Sequence, residues 1–289
     1  MPFLLLAISI ILSSGRNIFS KSLSGIRFGT RFFFVCQGCL FIAGGAALLI
    51  FGGIKSFDIA GETLILAAIY AVLLILAQWF YTVALTAGNT ALCSTVYSMG
   101  FILPTFSGAV IWSEPFSVLD LFGVICAIAA VIVSGLKPVA KESQSRGYYF
   151  IPLVIAMLAS GGLGIVQKVQ QKSDFAEQKS IFLLIAFTIA AALSLLFACF
   201  TKCRTCGAAL KLKKLLVASC VGLFFGCCNL LNTSLAGMLD SAIFFPTLNI
   251  GTILLSMLLG VIIFKERIRK REALVLALGA ASIVLLNFG

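Results

Sequence analysis

Polar side chains recur at helical spacing inside long apolar runs of this 289-residue chain. Gln78 and Tyr81 are three residues apart, and Asn229 and Asn232 repeat that spacing in the second half. Residues three or four apart share one face of a helix, so each pair predicts a polar stripe along an otherwise apolar helix. Amide and hydroxyl groups donate and accept hydrogen bonds, which suits the recognition of a small polar molecule.

The same reasoning gives a set of predicted substrate-binding residues on six apolar runs. A polar group that faces lipid is costly, so such residues are expected to face a cavity or a neighbouring helix. For any one of them, a hydrogen bond between helices is the structural alternative. The predicted substrate-binding residues are Arg16, Asn17, Gln78, Trp79, Tyr81, Ser94, Tyr97, Ser98, Gln167, Asn229, Asn232 and Asn249.

Four positions have a more specific expected role. The planar guanidinium of Arg16 suits a carboxylate or phosphate, and snorkelling to the headgroups is its alternative. Trp79 can stack on a ring or a cation of a substrate. Pro104 and Pro246 lie within apolar runs. Because proline removes a backbone hydrogen bond and kinks a helix, they are predicted either to gate the cavity or to form packed, static kinks.

The composition predicts a polytopic membrane protein. The chain is 61% hydrophobic and only 11% charged, with a mean hydropathy of +1.14. Soluble domains are about 45–50% apolar and about 25% charged. The first apolar run has neither a basic start nor a small-residue cleavage site, so it is expected to be retained as a span. The net charge of +11 fits basic cytoplasmic loops and does not require nucleic-acid binding.

Ten apolar runs are long enough to cross a bilayer, which takes roughly 20 residues. They predict an all-α integral membrane protein with ten transmembrane helices. The expected spans are 2–22, 32–53, 63–86, 90–112, 117–136, 148–168, 180–200, 214–236, 241–264 and 272–288.

The two halves of the chain repeat each other in order and phase. Five spans in each half place the halves in opposite orientations, which is an inverted repeat with its site near the membrane midplane. The predicted organisation is a first repeat over 1–138, a linker over 139–147 and a second repeat over 148–289. The matched pairs include Gly15 and Gly162, Ile18 and Ile165, Lys21 and Lys168, Gly108 and Gly260, Glu114 and Glu266, and Ser98 and Asn249.

The distribution of basic residues predicts the orientation. Of the 21 Lys and Arg residues, 17 follow odd-numbered spans. The positive-inside rule then makes the odd-numbered loops cytoplasmic and places both termini outside the plasma (inner) membrane. Lys21 and Lys168 lie at span ends and are expected at the membrane interface.

These features resemble the drug/metabolite transporter superfamily, in its EamA-like branch. The resemblance rests on ten spans in two repeats, on Gly15-Arg16-Asn17-Ile18-Phe19-Ser20-Lys21 in span 1, and on Glu114 and Glu266 ending spans 4 and 9. It implies a pathway lined by spans 1, 3 and 4 with 6, 8 and 9. The chain departs from the family pattern at Ser14, where an aromatic residue is common, and at Ser113 and Lys265, where a small residue is common. The family is usually drawn with cytoplasmic termini, opposite to the charge count.

The expected function is secondary transport of a small organic metabolite by alternating access. All ten acidic residues fall at span ends or in loops, so uniport or exchange is expected in place of proton coupling through a buried carboxylate. A flippase for a lipid-linked small group and a proton-coupled exporter of amino acids or drugs are the alternatives.

Enzymatic activity is not expected. The chain has no His, no mid-span carboxylate and no nucleophile–base motif. No cofactor or metal is predicted either, since Cys203 and Cys206 make only half of a zinc site. The expected partners are the small-molecule substrate and the lipid bilayer, with no nucleic acid, and the chain is expected to be a monomer or a homodimer.

Overall fold

The long apolar runs fold into helices, because a helix satisfies every backbone hydrogen bond within its own segment. The structure, a computed structural model, describes residues 1–21, 23, 30–54, 59–87, 90–135, 150–201, 208–264 and 270–288. Every regular element in these ranges is helical. The α-helices are α1 (Pro2–Lys21), α2 (Arg31–Phe51), α3 (Gly61–Ala87), α4 (Thr90–Ser98), α5 (Ile102–Trp112), α6 (Val118–Gly135), α7 (Phe150–Lys172), α8 (Lys179–Phe200), α9 (Ala208–Met238), α10 (Ser241–Phe264) and α11 (Lys270–Phe288).

Within the described ranges, eight helical segments are long and apolar enough to cross a membrane. They correspond to eight of the ten predicted spans and confirm a helical, multi-pass arrangement. The predicted spans 5 and 10 contain the shorter apolar stretches Val118–Ser134 and Ala273–Phe288. The number of ten spans therefore stays a prediction.

Span 4 is interrupted near its proline. Helix α4 ends at Ser98, a 3₁₀ turn covers Met99–Phe101, and α5 resumes two residues before Pro104. The opposite case is α10, which continues through Pro246 as one helix. Proline cannot donate a backbone hydrogen bond, so both positions lose one bond of the helix. Of these two proline-containing spans, span 4 is the one in which the backbone changes its helix type.

Side chains fix several helix ends. The Thr30 hydroxyl accepts a hydrogen bond from the Phe33 backbone N–H at 3.2 Å and begins α2. At the start of α6, the Ser117 N–H donates to the Asp120 carboxylate at 2.8 Å, while the Asp120 N–H donates to the Ser117 hydroxyl at 3.1 Å. This reciprocal capping satisfies two backbone donors that have no partner inside the helix.

The chain forms two compact units, and each takes segments from both halves of the sequence. The first unit comprises residues 1–11, 76–165 and 235–289, and the second comprises 12–75 and 166–234. Helices α1, α3, α7 and α9 each contribute residues to both units. The predicted linker 139–147 lies outside the described residues, so the division into two sequence repeats stays a prediction.

In the first unit, α6 packs along α11, and α10 packs on α5, α6 and α11. The Ser282 hydroxyl donates to the Gly123 carbonyl at 2.8 Å and joins α11 to α6. The core of this unit is built on large, fully or nearly fully buried side chains, among them Phe101, Phe244, Ile250 and Leu286.

In the second unit, α2 packs along α8. Helix α9 approaches α2 at glycines, because a Cβ at Gly226 would collide with the backbone of Gly44 and one at Gly222 would collide with the Leu40 carbonyl. Small residues allow this close backbone approach between membrane helices. Phe41 of α2 and Phe187 of α8 lie edge to face, with ring centroids 6.0 Å apart.

Candidate functional site

A cluster of three polar side chains lies inside the second unit, where α3, α7 and α9 meet. The Tyr70 hydroxyl donates to Asn229 Oδ1 at 2.5 Å. Gln167 Nε2 donates to the Tyr70 Oη at 2.9 Å and lies 3.2 Å from Asn229 Oδ1. The three side chains are 1%, 5% and 6% exposed, so the cluster is enclosed by protein. We call these three residues the amide cluster.

Aromatic rings surround the amide cluster. The Tyr70 ring packs edge to face on Phe182 at 5.2 Å, and Phe225 lies one helical turn before Asn229 with its ring 5.5 Å from Phe187. Asn229 Nδ2 also donates to the Phe225 carbonyl at 2.8 Å. Apolar walls strengthen the hydrogen bonds inside them, because the local dielectric is low.

The cluster satisfies most of its own hydrogen-bonding capacity but not all of it. Asn and Gln each offer two N–H donors and one carbonyl acceptor. Within the part of the chain that the structure describes, Gln167 Oε1 accepts no hydrogen bond, and one N–H of Asn229 has no acceptor. These two atoms give the cluster one acceptor and one donor for a small polar molecule.

Arg16 lies on α1 beside the same helix α9. Its guanidinium carbon is 5.1 Å from the centre of the Phe225 ring, and its Nη2 is 3.5 Å from Asn17 Oδ1. One turn earlier, the Ser13 hydroxyl donates to the Cys228 sulfur at 3.5 Å. Ser13 and Arg16 therefore share the face of α1 that meets α9. Arg16 and Asn17 are both half-buried.

Lys168 differs from its predicted placement at the membrane interface. Its side chain is only 1% exposed, so protein encloses it. It follows Gln167 directly on α7. The described carboxylates of the second unit, on Glu62, Asp174 and Glu177, are all exposed. The enclosed charges that the structure describes in this unit are consequently basic.

The first unit holds most of the other predicted residues. The rings of Tyr81 and Tyr97 are 4.4 Å apart and tilted by 34°. Asn249 Nδ2 donates to the Ser98 carbonyl at 3.4 Å, which joins α10 to the end of α4. The two residues of this second contact are predicted repeat partners.

The remaining predicted residues are placed as follows. Gln78 and Trp79 are half-buried on α3 in the first unit, and Asn232 is half-buried on α9 in the second. Pro104 and Pro246 are buried in the first unit. The two predicted stripes therefore lie in different compact units, Gln78 with Tyr81 in the first and Asn229 with Asn232 in the second. The Ser94 side chain, the Glu266 loop and Cys203 with Cys206 lie outside the described residues.

Glu114 has a capping role that its position in the sequence does not reveal. Its Oε2 accepts a hydrogen bond from the Ser241 backbone N–H at 2.7 Å, at the first residue of α10. The chain turns back after α5 at Ser113, whose φ of 52° is left-handed, and the Glu114 N–H donates to the Gly108 carbonyl at 3.2 Å. A carboxylate at a helix N-terminus is stabilised by the helix dipole.

Tyr70 is the member of the amide cluster that sequence reasoning missed. A tyrosine near a span end is usually an interface anchor, whereas Tyr70 lies ten residues into α3. A phenol needs a hydrogen-bond partner when it is buried. Its depth in the apolar run was therefore the available signal.

Comparisons with known proteins describe the fold and not the activity. No protein-family model matches this chain, and no curated protein matches it. Among solved structures, one protein crystal structure is similar, with a TM-score of 0.78 at 15% sequence identity. The match covers 99% of this chain and 96% of the other. This chain therefore has a fold already known from crystallography, over essentially its whole length.

Proposed function

We propose that this protein is a secondary transporter that moves a small organic metabolite across a membrane by alternating access. The observation that carries the proposal is the amide cluster, because it encloses hydrogen-bonding groups among helices long and apolar enough to span a bilayer. Enclosed polar groups in membrane helices mark substrate pathways. Within the described residues, Gln167 Oε1 and one Asn229 N–H remain available to a substrate.

The packing supports an inverted repeat as part of this proposal. Three of the helix pairs that pack together within the units are predicted repeat partners: α2 with α8, α5 with α10, and α6 with α11. A two-fold axis between antiparallel halves brings equivalent helices together in this way. Inverted repeats that form a midplane site are common in secondary transporters. Membership of the drug/metabolite transporter superfamily belongs to the same proposal.

Uniport or exchange fits the carboxylates better than proton coupling does. Glu114 and Asp120 each accept a backbone hydrogen bond at the start of a helix, so both have a structural task. A proton-coupled mechanism would need a carboxylate that changes its protonation state at the substrate site. The amide cluster offers amide and phenol groups there, and none of its three side chains is a carboxylate.

The test is solute uptake into liposomes that contain the purified protein. The panel covers amino acids, nucleobases, organic cations and organic anions, and exchange is measured by preloading the vesicles with each solute. We expect uptake of at least one class above that of empty liposomes. Replacing Gln167 or Asn229 by Leu should reduce this uptake at least about tenfold, because a buried polar partner of the substrate is lost.

The matched control is Thr188→Val. Thr188 lies on the exposed face of α8, where its hydroxyl donates to the Leu184 carbonyl at 2.8 Å. This variant should transport normally. Wild-type protein that takes up no member of the panel would contradict the transporter proposal. Leu variants that transport normally would show that the amide cluster only joins helices.

A further inference from the structure

The face of α1 that meets α9 brings a cation next to the amide cluster. Ser13 contacts Cys228, and Arg16 lies over Phe225. Residue numbers rise along α1 while they fall along α9, so the two helices are antiparallel at this interface. Phe19 follows one turn later, stacked on Phe224 at 5.5 Å. Arg16 is therefore held at α9 by packing on both sides.

The guanidinium retains most of its hydrogen-bonding capacity. Arginine has five N–H donors. Within the described residues, the hydrogen-bond partner of Arg16 is Asn17 Oδ1, at the long distance of 3.5 Å. Its other contact is the face of the Phe225 ring, which offers a cation–π interaction and accepts no conventional hydrogen bond. The remaining donors are suited to an anionic oxygen pair, which the planar fork binds at two points.

Phe225 connects Arg16 to the amide cluster. Asn229 follows Phe225 by four residues and donates to its carbonyl. Side chains four apart on a helix start about 5–6 Å apart on the same face. Phe225 and Asn229 therefore lie on one face of α9, and a small organic acid that extends along this face can place its charged end at Arg16 and a polar group at the free atoms of Asn229 and Gln167.

The charges of the second unit favour an anionic ligand. Lys168 is enclosed beside Gln167, and the described carboxylates of this unit are exposed. Arg16 is half-buried, and its guanidinium attracts a negatively charged ligand and repels a cationic one.

We infer that Arg16 and the amide cluster form a site for a small organic acid, with the guanidinium holding its carboxylate. This inference rests on the proposed transport function and narrows its substrate class to anions. Arg16 binds the carboxylate of the ligand, and Gln167 and Asn229 form hydrogen bonds with its other polar groups.

The test compares organic acids with their uncharged amides as ligands of the purified protein. The probes are lactate, benzoate and succinate, each against its amide, and binding is measured by calorimetry and by ligand-induced thermal shift. We expect at least one acid to bind while its amide does not. Arg16→Gln should weaken the binding of that acid by about 10–100-fold, which is the usual loss of affinity when a hydrogen bond to a charged group is removed. Arg16→Lys should give an intermediate affinity, because it keeps the charge and loses the fork.

Arg31→Gln is the matched control, since Arg31 is exposed at the start of α2. Its affinity for the acid should equal that of the wild type. Thermal unfolding without ligand shows that each variant is folded. If Arg16→Gln fails to fold, Arg16→Lys alone must still weaken binding of the acid for the inference to stand.

The outcomes separate this inference from the transporter proposal. Uptake of neutral or cationic solutes, with no binding of any of the three acids, would overturn the anion site and leave the transporter. Uptake of nothing in the panel would overturn both. Stabilisation by phosphatidylglycerol but by none of the acids would show that Arg16 binds a lipid headgroup, which also overturns the anion site.

Discussion

The hydroxyl group of Tyr70 offers a direct test of the amide cluster. Tyr70→Phe removes one oxygen that donates to Asn229 Oδ1 at 2.5 Å and accepts from Gln167 Nε2 at 2.9 Å. The two amides keep their own contact at 3.2 Å, so neither is left wholly without a partner. The Phe ring can still pack on Phe182. The variant therefore removes these two buried hydrogen bonds and keeps the ring.

The expected loss follows from these two bonds. A buried hydrogen bond contributes about 0.5–1.5 kcal/mol net in proteins, and about 0.6 kcal/mol on average between membrane helices. Tyr70→Phe should then lower the free energy of unfolding by about 1–2 kcal/mol. This corresponds to a fall in Tm of about 2–6 °C for a chain of this size. Thermal unfolding of purified protein in one detergent measures it.

Tyr97→Phe is the matched control for this prediction. The Tyr97 hydroxyl has no hydrogen bond within the described residues, and its ring keeps the contact with Tyr81. This variant should leave the Tm within about 1 °C of the wild type. A second comparison introduces Tyr70→Phe into Asn229→Leu, where the loss should shrink because one partner is already absent. Equal shifts for Tyr70→Phe and Tyr97→Phe would refute the cluster as described.

Two further predictions concern the packing and the caps. Gly226→Ala should destabilise the second unit by about 1–3 kcal/mol through overpacking, because its Cβ collides with backbone; Gly45→Ala, whose Cβ has an ordinary contact with Leu184, should be neutral or stabilising by thermal unfolding. Glu114→Gln should lower the free energy of unfolding by about 0.5–1 kcal/mol, because it weakens the cap at the start of α10. Asp174 is exposed, and Asp174→Asn should lower the free energy of unfolding by less in the same assay. Equal Tm values within either pair would contradict the contact concerned.

Several features followed from local sequence because their cause is local. A run of about 20 apolar residues must become a helix in a bilayer, since only a helix satisfies the backbone there. Eight of the predicted spans have such helices. Pro104 predicted a distortion in span 4, and a 3₁₀ turn lies just before it. The same residue type did not end α10, because the helix continues through Pro246.

The polar contacts depended on where helices cross, and no local pattern encodes that. The spacing of Gln78 with Tyr81 predicts a shared face, but Tyr81 pairs with Tyr97 on another helix. Glu114 signals the end of a helix in sequence, yet its carboxylate caps α10, 127 residues away. Lys168 lies near the end of its helix and is nonetheless enclosed by neighbouring segments.

Hydropathy and helical period are properties of short segments, so local sequence was enough to predict a helical membrane chain with polar groups inside its spans. Which of those groups meet depends on the folded arrangement of the helices. Asn229 and Gln167 were both predicted, but their common partner Tyr70 lies 159 residues before Asn229. Long-range contacts of this kind depend on how α3, α7 and α9 pack together, with the rings of Phe182 and Phe225 beside the cluster. In that packing, Phe225 contacts Arg16 and precedes Asn229 of the amide cluster by one helical turn.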